Sequence, residues 1–431
     1  MKVAVKESCM VKPAKETPRQ RLWLSNLDQL FVQNNAHMTM LQPYRHDGSH
    51  NFFDGRVMKE SLSQALVAFF PAAGRLVRDE SGRFEIDCGS QGVLFVEAET
   101  NATISDMGEF HPAPELLQLI PQVDFSKAIS SIPLLHLQVT RFRCGGVCLG
   151  IGYHHGLSDG TGSYNLFTTW SLLARGLPAA TNLPPPLLDR TILRSRSPPA
   201  PTCQHPEYDD DQQQTPRPPR TLTSTRNLNL SVDQITRLKD EACSNNYTTY
   251  EVVAAHIWRC VTLARRFADQ DQTVPLHVTV DGRRRFDPPL PRGYFGNCLF
   301  YAMVEATPAE LGSEPLQQTA KRIRRAIKRI DDVYMRSAID YLDRAGARIP
   351  GSSGSPHLKV VSWAQLHFAL NFGWGDPIFI RAPNFEGSCF ILSKPNDGDD
   401  GVSFSICLDA AAMERFKGLL NSTWPQLLCH M

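Results

Sequence analysis

Apolar positions along the chain follow two periods. Residues 59–70 carry Leu62, Leu66, Phe69 and Phe70 at helical spacing and stop at Pro71 and Gly74, which predicts a helix with a proline–glycine stop. Residues 134–142 and 147–152 are apolar runs on either side of Cys144-Gly145-Gly146, the pattern of two strands joined by a hairpin turn. A helical stretch follows over 164–174. In the second half, 249–265 reads as a helix, and 316–342 as a longer one with Ile323, Ile327, Ile330, Tyr334 and Tyr341 along one face. Near the end, 387–392 and 402–408 flank Asn396-Asp397-Gly398-Asp399-Asp400-Gly401, another hairpin signal. Mixed strands and helices in both halves predict an α/β or α+β protein of two domains.

Composition sharpens the division. The 431 residues correspond to two to four domains, or two large ones, at roughly 100–200 residues per domain. Prolines, at 31, outnumber the 28 glycines and gather between 176 and 220 as Pro184-Pro185-Pro186, Pro198-Pro199, Pro201 and Pro216 to Pro219, among Asp209 to Asp211 and Gln212 to Gln214. Proline fixes φ and removes a donor, so this segment reads as a linker without helix or central strand. The expected organisation is a domain over 1–175, a Pro-rich crossover over 176–222 and a domain over 223–431. No internal repeat of fixed period is present.

The net charge of +1 argues against a polyanion binder, whether of nucleic acid or of an anionic membrane. Eleven cysteines without a CxxC pair fit a reduced, intracellular inventory. The first 18 residues hold four Lys and two Glu but no apolar run, which speaks against a secretory signal. No stretch approaches 18 apolar residues, and Cys429-His430-Met431 is no prenylation box. The expectation is a cytoplasmic protein without membrane insertion. Rossmann and P-loop glycine fingerprints are absent, so neither NAD nor ATP use has sequence support.

The densest chemistry is Gly152-Tyr153-His154-His155-Gly156-Leu157-Ser158-Asp159-Gly160, between an apolar strand and a helical stretch. A histidine there serves as a general base near neutral pH, its ordinary pKa being about 6.5, and Asp159 can receive a hydrogen bond or pin the loop. A purely structural histidine–loop–aspartate accounts for the spacing equally well. Zinc is disfavoured, because strand neighbours point to opposite faces and no third ligand stands at useful spacing. Ser158 lacks the G-x-S-x-G setting of a hydrolase nucleophile. The basic run Lys321, Arg322, Arg324, Arg325, Lys328 and Arg329 reads as a solvated helix face rather than a phosphate or nucleic-acid grip.

His154-His155-Gly156-Leu157-Ser158-Asp159-Gly160 resembles the HHxxxDG motif of the plant BAHD acyl-CoA-dependent acyltransferases. Asp281-Gly282-Arg283, Tyr294-Phe295-Gly296-Asn297 and Asn371-Phe372-Gly373-Trp374-Gly375 are similar to the family's DGR, YFGN and DFGWG segments, in family order. Thr248-Thr249-Tyr250-Glu251 leading to Trp258-Arg259-Cys260, and Phe70-Pro71-Ala72-Ala73-Gly74-Arg75, are also similar. The N-terminal Arg21-Leu22-Trp23-Leu24-Ser25-Asn26-Leu27-Asp28, together with Leu188-Asp189-Arg190-Thr191, looks most like the hydroxycinnamoyl-CoA:shikimate/quinate hydroxycinnamoyltransferases of that family.

The resemblance implies two chloramphenicol-acetyltransferase-like domains with the active site in a channel between them, and a metal-independent monomer. It implies acyl-coenzyme A as co-substrate, with no permanently bound cofactor. His155 would be the base, Asp159 would hold the loop through Arg283 or a neighbour, and Trp374 would offer its indole N–H to the oxyanion. Thr39, Tyr294, Phe372, His357 and Lys359 are implied as substrate-binding, and Gly160, Asn371, Gly373 and Gly375 as structural. The implied reaction moves a p-coumaroyl or caffeoyl group to a hydroxyl of a small acceptor such as shikimate or quinate. N-acylation of a polyamine or aromatic amine, a different acyl-CoA, and an inactive ligand-binding homologue are the alternatives.

Two departures stand out. Asn371 replaces the family Asp and cannot form a salt bridge. The stretch from Gly351 to Lys359 holds no Arg where shikimate-specific relatives place one to grip a carboxylate, and only His357 or Lys359 offers a substitute.

Overall fold

The structure is a computed structural model, and it describes residues 1–108, 114–178, 183–209, 222–243, 246–344, 348–351, 354–381, 385–392 and 401–421. The first half runs β1 (Val3–Val11), β2 (Arg21–Trp23), α1 (Asn26–Gln33), β3 (His37–Tyr44), α2 (Gly55–Ala68), β4 (Arg75–Arg78), β5 (Phe84–Asp87), β6 (Val93–Thr100), β7 (Leu135–Phe142), β8 (Val147–His154) and α3 (Gly160–Ala174). The second runs β9 (Thr223–Leu230), α4 (Val232–Glu241), α5 (Thr249–Arg265), β10 (Leu276–Asp281), β11 (Leu299–Val304), α6 (Pro308–Ser313), α7 (Leu316–Arg329), α8 (Asp332–Arg344), β12 (Leu358–Ser362), β13 (Ser388–Leu392), β14 (Val402–Asp409) and α9 (Ala410–Leu420).

Each half is built on one mixed sheet. The first has five strands in the order β1-β6-β7-β8-β3, and the second six in the order β11-β10-β12-β13-β14-β9. Parallel neighbours lie inside both, β6 against β7 and β10-β12-β13, and antiparallel strands close the edges. A small sheet, β2-β5-β4, stands apart.

The expected hairpin over Cys144-Gly145-Gly146 is present as β7 and β8, and the helix over Thr249–Arg265 has the expected bounds. That helix starts there for a local reason. Thr248 Oγ1 accepts from the Glu251 amide at 3.2 Å while Glu251 Oε2 accepts from the Thr248 amide at 2.8 Å, so two otherwise orphaned donors satisfy each other's residues. Strands β13 and β14 pair antiparallel as the second hairpin signal predicts, but its turn residues 396–400 lie outside the described residues.

The long helix expected over 316–342 is two helices, α7 and α8. Asp331 Oδ1 accepts from the Tyr334 amide at 2.9 Å and so begins a new helix, while Arg285 closes the previous one by donating to the Ile327 and Ile330 carbonyls at 2.8 and 3.0 Å. Part of the basic face of α7 is paired internally, Arg322 with Glu310 and Glu314 and Arg324 with Glu251, while Lys321, Arg325 and Arg329 are exposed.

The Pro-rich crossover is not a free linker where it is described. Leu187 bonds both ways with the strand-like stretch at 293–295, Leu193 and Tyr208 are buried in the second core, and Arg196 pairs with Asp340 of α8. Its residues 210–221 lie outside the described set. Two large cores result, and they exchange members. Leu27 and Leu30 of α1 join the second core, whereas Trp363, Phe368, Leu370, Phe372 and Trp374 join the first. The arm over 363–381 docks along the β3 edge: Gln42 Nε2 donates to Phe368 O at 2.7 Å, Tyr44 Oη to Leu370 O at 2.8 Å, and Leu41 bridges Arg381.

Trp170 of α3 ties this arm in. Its indole N–H donates to Met58 O and Ser61 Oγ of α2 at 3.0 and 3.1 Å, and its ring meets Phe372 edge-on at 4.7 Å. Trp170→Ala removes a fully buried ring between three elements and is expected to cost about 3–5 kcal/mol. A urea unfolding midpoint, compared with that of wild type, measures it.

Candidate active site

His155 closes β8 at the point where the two sheets face each other. Its ring stacks on Phe31 of α1, with centroids 3.8 Å apart and planes 14° off parallel, and lines a cavity of about 240 Å³. The first half contributes Phe31, Ala36, His37, Met38, Tyr153, His155 and Gly160 to the wall. The second contributes one face of its sheet. Along β12, Leu358 and Val360 point into the second core while Lys359 and Val361 face the cavity, the strand's two-residue alternation. Thr279 of β10, Leu299 and Tyr301 of β11 and Phe390 of β13 share that face, and Trp363 borders it.

The protonation of His155 follows from a chain of contacts that begins at Asp28. This carboxylate is fully buried. Its Oδ1 accepts from the backbone and side-chain nitrogens of Asn297, both at 2.8 Å, and stands 3.1 Å from Arg190 Nη1; its Oδ2 accepts from Ser25. Asn297 Nδ2 also donates to His155 O at 2.9 Å, so the amide oxygen is turned toward His155 Nδ1, 2.9 Å away. An amide oxygen only accepts, so Nδ1 carries the proton and Nε2 keeps its lone pair. Burial pushes the His155 pKa down to about 4, with Asp159 and Asn297 opposing the shift and Lys359 adding to it. The ring is therefore a neutral base at neutral pH.

Asp159 does not touch the base. It caps α3 by accepting from the Gly162 amide at 3.1 Å, and forms a two-pronged pair with Arg283, both bonds 2.8 Å. Burial opposes its charge, but Arg283 and the amides of Cys298 and Gly162 outweigh that and hold its pKa below the ordinary range. Arg190, from the crossover, donates to the carbonyls of Gly156 at 3.2 Å and Leu157 at 2.5 Å. The loop after His155 is thus pinned from both sides. A Cβ on Gly160, at the cavity wall, would stand 2.9 Å from Leu366 Cδ1, so the end of that leucine would have to shift.

Other expected site residues lie elsewhere. Trp374 is not among the lining residues, and its indole N–H approaches Asn51 Oδ1 at 3.4 Å, so the donor expected from it is not aimed at the base. Phe372 packs in the first core against Trp170 and Phe53 and is not among the residues lining this cavity. Tyr294 is buried under Arg283, 5.5 Å from guanidinium to ring, and Thr39 pairs with Gly152 on β3; neither lines the cavity. His357 shares a hydrogen bond of 3.0 Å with His277, away from the wall. Lys359 does line it. Asn371 Oδ1 accepts from the Gly373 amide at 2.9 Å and its Nδ2 donates to Asp376 at 3.1 Å, so the uncharged residue closes a turn in which Gly373 and Gly375 take φ of +104° and +90°. Asp28, Asn297, Arg190 and Phe31 carry no catalytic signature in sequence; the Ser25-x-x-Asp28 helix start was a readable mark of the first.

A second buried array looks like hydrolase machinery. His205 lies 2.9 Å from Ser337 Oγ and 3.2 Å from Glu207 Oε1. Ser337 Oγ, however, accepts from the Thr202 and Cys203 amides at 2.8 Å each and is fully buried, so the array fastens the crossover to α8. Among the described residues no cluster suits a metal, and no helix is long and apolar enough to cross a membrane.

A model of the Transferase family matches residues 1–421. Shikimate O-hydroxycinnamoyltransferase of Nicotiana tabacum is 45% identical, over 97% of this chain and 99% of that protein. Rosmarinate synthase of Plectranthus scutellarioides is 42% identical over the same shares of the two chains. In three dimensions the chain resembles F. graminearum TRI101 complexed with ethyl coenzyme A, with a TM-score of 0.77 at 19% identity, covering 94% of this chain and 98% of that one.

Asp159→Asn leaves Arg283 without its buried partner and is expected to destabilise the protein by about 3 kcal/mol at neutral pH. Because the folded-state pKa of Asp159 is depressed, its contribution is present above the unfolded value near 3.9 and is lost as pH falls through the folded one. Urea titrations of both proteins should show a constant gap from pH 8 to about 5 that narrows only below about pH 4.

Proposed function

The chain belongs to the Transferase family, the BAHD acyltransferases, and is an acyl-CoA-dependent acyltransferase; on that footing we propose that it moves a hydroxycinnamoyl group from coenzyme A to a nucleophile of a small acceptor, with His155 as general base. The observation that carries the assignment is the Asp28–Asn297–His155 chain, which fixes the proton on Nδ1 and leaves Nε2 free on a ring that lines the cavity.

In this reading the acceptor's hydroxyl or amine gives its proton to His155 Nε2 as the oxygen or nitrogen attacks the thioester carbonyl. The tetrahedral intermediate then expels the coenzyme A thiolate, which takes the proton from the imidazolium. The transfer is direct in this reading, without an acyl-enzyme: neither a cysteine nor a serine lines the cavity among the described residues. Trp363 suits the oxyanion better than Trp374, since it borders the cavity and its indole N–H has no hydrogen bond within the described residues. A base with a pKa of about 4 is a weak proton acceptor but is wholly neutral in the cell, and a developing imidazolium is stabilised through Asn297 by the Asp28 charge.

Acyl-coenzyme A is the co-substrate in this reading, and both halves of the chain supply walls of the cavity. We keep the domain boundaries read from the proline cluster as part of this proposal and assign the arm over 363–381 to the first domain, with whose core it packs. The described cysteines are free thiols, in keeping with a cytoplasmic location.

The test follows free thiol release from p-coumaroyl-CoA with a panel of shikimate, quinate, aromatic amine and polyamine acceptors. His155→Ala should lower acceptor-dependent release at least about 10²-fold. His154→Ala, which loses the acceptor for the Gly156 amide at 3.0 Å, should be milder. Undiminished release in His155→Ala would remove the base.

The pH profile gives a separate expectation. Because burial lowers the His155 pKa to about 4, kcat/KM should hold constant on the acid side down to about pH 5, where an unperturbed histidine would already be protonated.

A further inference from the structure

The transfer chemistry above leaves one nucleophile of the cavity wall unused. β12 turns Lys359 into the space that the His155 ring lines, and the residue is 4% exposed. The buried Arg283 and Arg190 have Asp159 and Asp28 as counter-charges, whereas no ion pair engages Lys359 among the described residues. Its nitrogen lies over the rings of Tyr301 and Phe385, 5.2 and 5.4 Å from their centroids. Burial pushes its pKa down to about 7, so near neutral pH much of the side chain is a free amine. A desolvated lysine in an apolar pocket is an activated nucleophile. It also stands close enough to His155 for its charge to act on that base.

The transfer reading brings an acyl thioester into the same space. We propose that, when no acceptor is bound, Lys359 Nζ takes the acyl group itself and becomes an Nε-acyl-lysine that blocks the cavity. The amine attacks the thioester carbonyl and passes one proton to His155 Nε2. The tetrahedral intermediate then expels the coenzyme A thiolate, which leaves with that proton. A C–N bond replaces a C–S bond, and no further reactant is needed. The product is an amide, far less reactive than a thioester, so it is a dead end and not a turnover intermediate. Its acyl chain occupies part of a cavity of about 240 Å³. A bound acceptor prevents the step by removing the acyl group first. The proposal rests on the transfer reading for its thioester and adds a modification site to it.

The full-length protein is incubated with p-coumaroyl-CoA and no acceptor, and its intact mass is followed. One acyl group should add per chain with release of one equivalent of thiol, and peptide mapping should place it on Lys359. Hydroxylamine should leave the label in place, since it cleaves thioesters and phenyl esters but spares amides. Lys359 should react at least about 10²-fold faster than any exposed lysine, because its thioester is held beside it. Its rate should level off above about pH 8, whereas exposed lysines, with an ordinary pKa of about 10.4, keep gaining. Lys359→Arg should lose the label. Mapping and the pH profile use wild type alone, so they decide the matter even where that variant fails to fold.

An unmodified Lys359 in wild type would overturn the proposal. So would label spread evenly over the exposed lysines, or label that hydroxylamine removes. The two readings fail separately. Acceptor-dependent turnover with Lys359 unmodified after incubation without acceptor overturns the acylation alone. Stoichiometric label on Lys359 without turnover of any acceptor upholds it and overturns the transfer.

Discussion

The buried carboxylate of Asp28 is the constraint on which the rest of the molecule depends. It begins α1, receives two bonds from Asn297 of the second half, and neutralises Arg190 of the crossover. Three stretches distant in sequence are therefore held on one charge in a place where water cannot compete. A charge so enclosed is tolerable only because all its partners are present together, and the arrangement is accordingly all or none. The catalytic consequence is indirect: Asp28 never meets the imidazole but decides which way the Asn297 amide faces, and so which imidazole nitrogen is basic.

Much of the fold was legible because its cause was local. The Cys144-Gly145-Gly146 hairpin and the Thr248 capping box are decided by residues within a few positions of one another. The break between α7 and α8 was not legible from periodicity, since the apolar stripe runs straight through Ile330, while the interruption comes from Asp331 and from Arg285, which lies more than forty positions away. The crossover's prolines announced an irregular chain correctly. They could not announce that Arg190 and Tyr208 within it are buried.

The site divides in the same way. His155, Asp159 and Arg283 were singled out by their motifs, which the spacing alone could not separate from a structural loop, and the structure shows Asp159 paired with Arg283 and His155 bonded to Asn297. Phe372 and Trp374 sit in an equally recognisable motif, but there the pattern encodes a docked arm and a glycine turn. A motif signals constraint without saying whether the constraint is chemical or architectural. The buried Ser337–His205–Glu207 array makes the converse point, for it has catalytic residue types at catalytic distances and no space for a substrate.

The exchanged arm has a consequence for how the protein is made. The first core is assembled almost entirely from residues before 175, yet it lacks Phe368, Leu370 and Phe372 until the ribosome has passed residue 381. At about 5–20 residues per second that is a wait of roughly 10–40 s. Throughout it Gln42 and Tyr44 have no partner from the arm, and the apolar ground around Trp170 and Phe53 is uncovered. The N-terminal half thus emerges with its strands complete but open along one edge, and the chain closes that edge only when its last fifth arrives to cover what its first two-fifths left exposed.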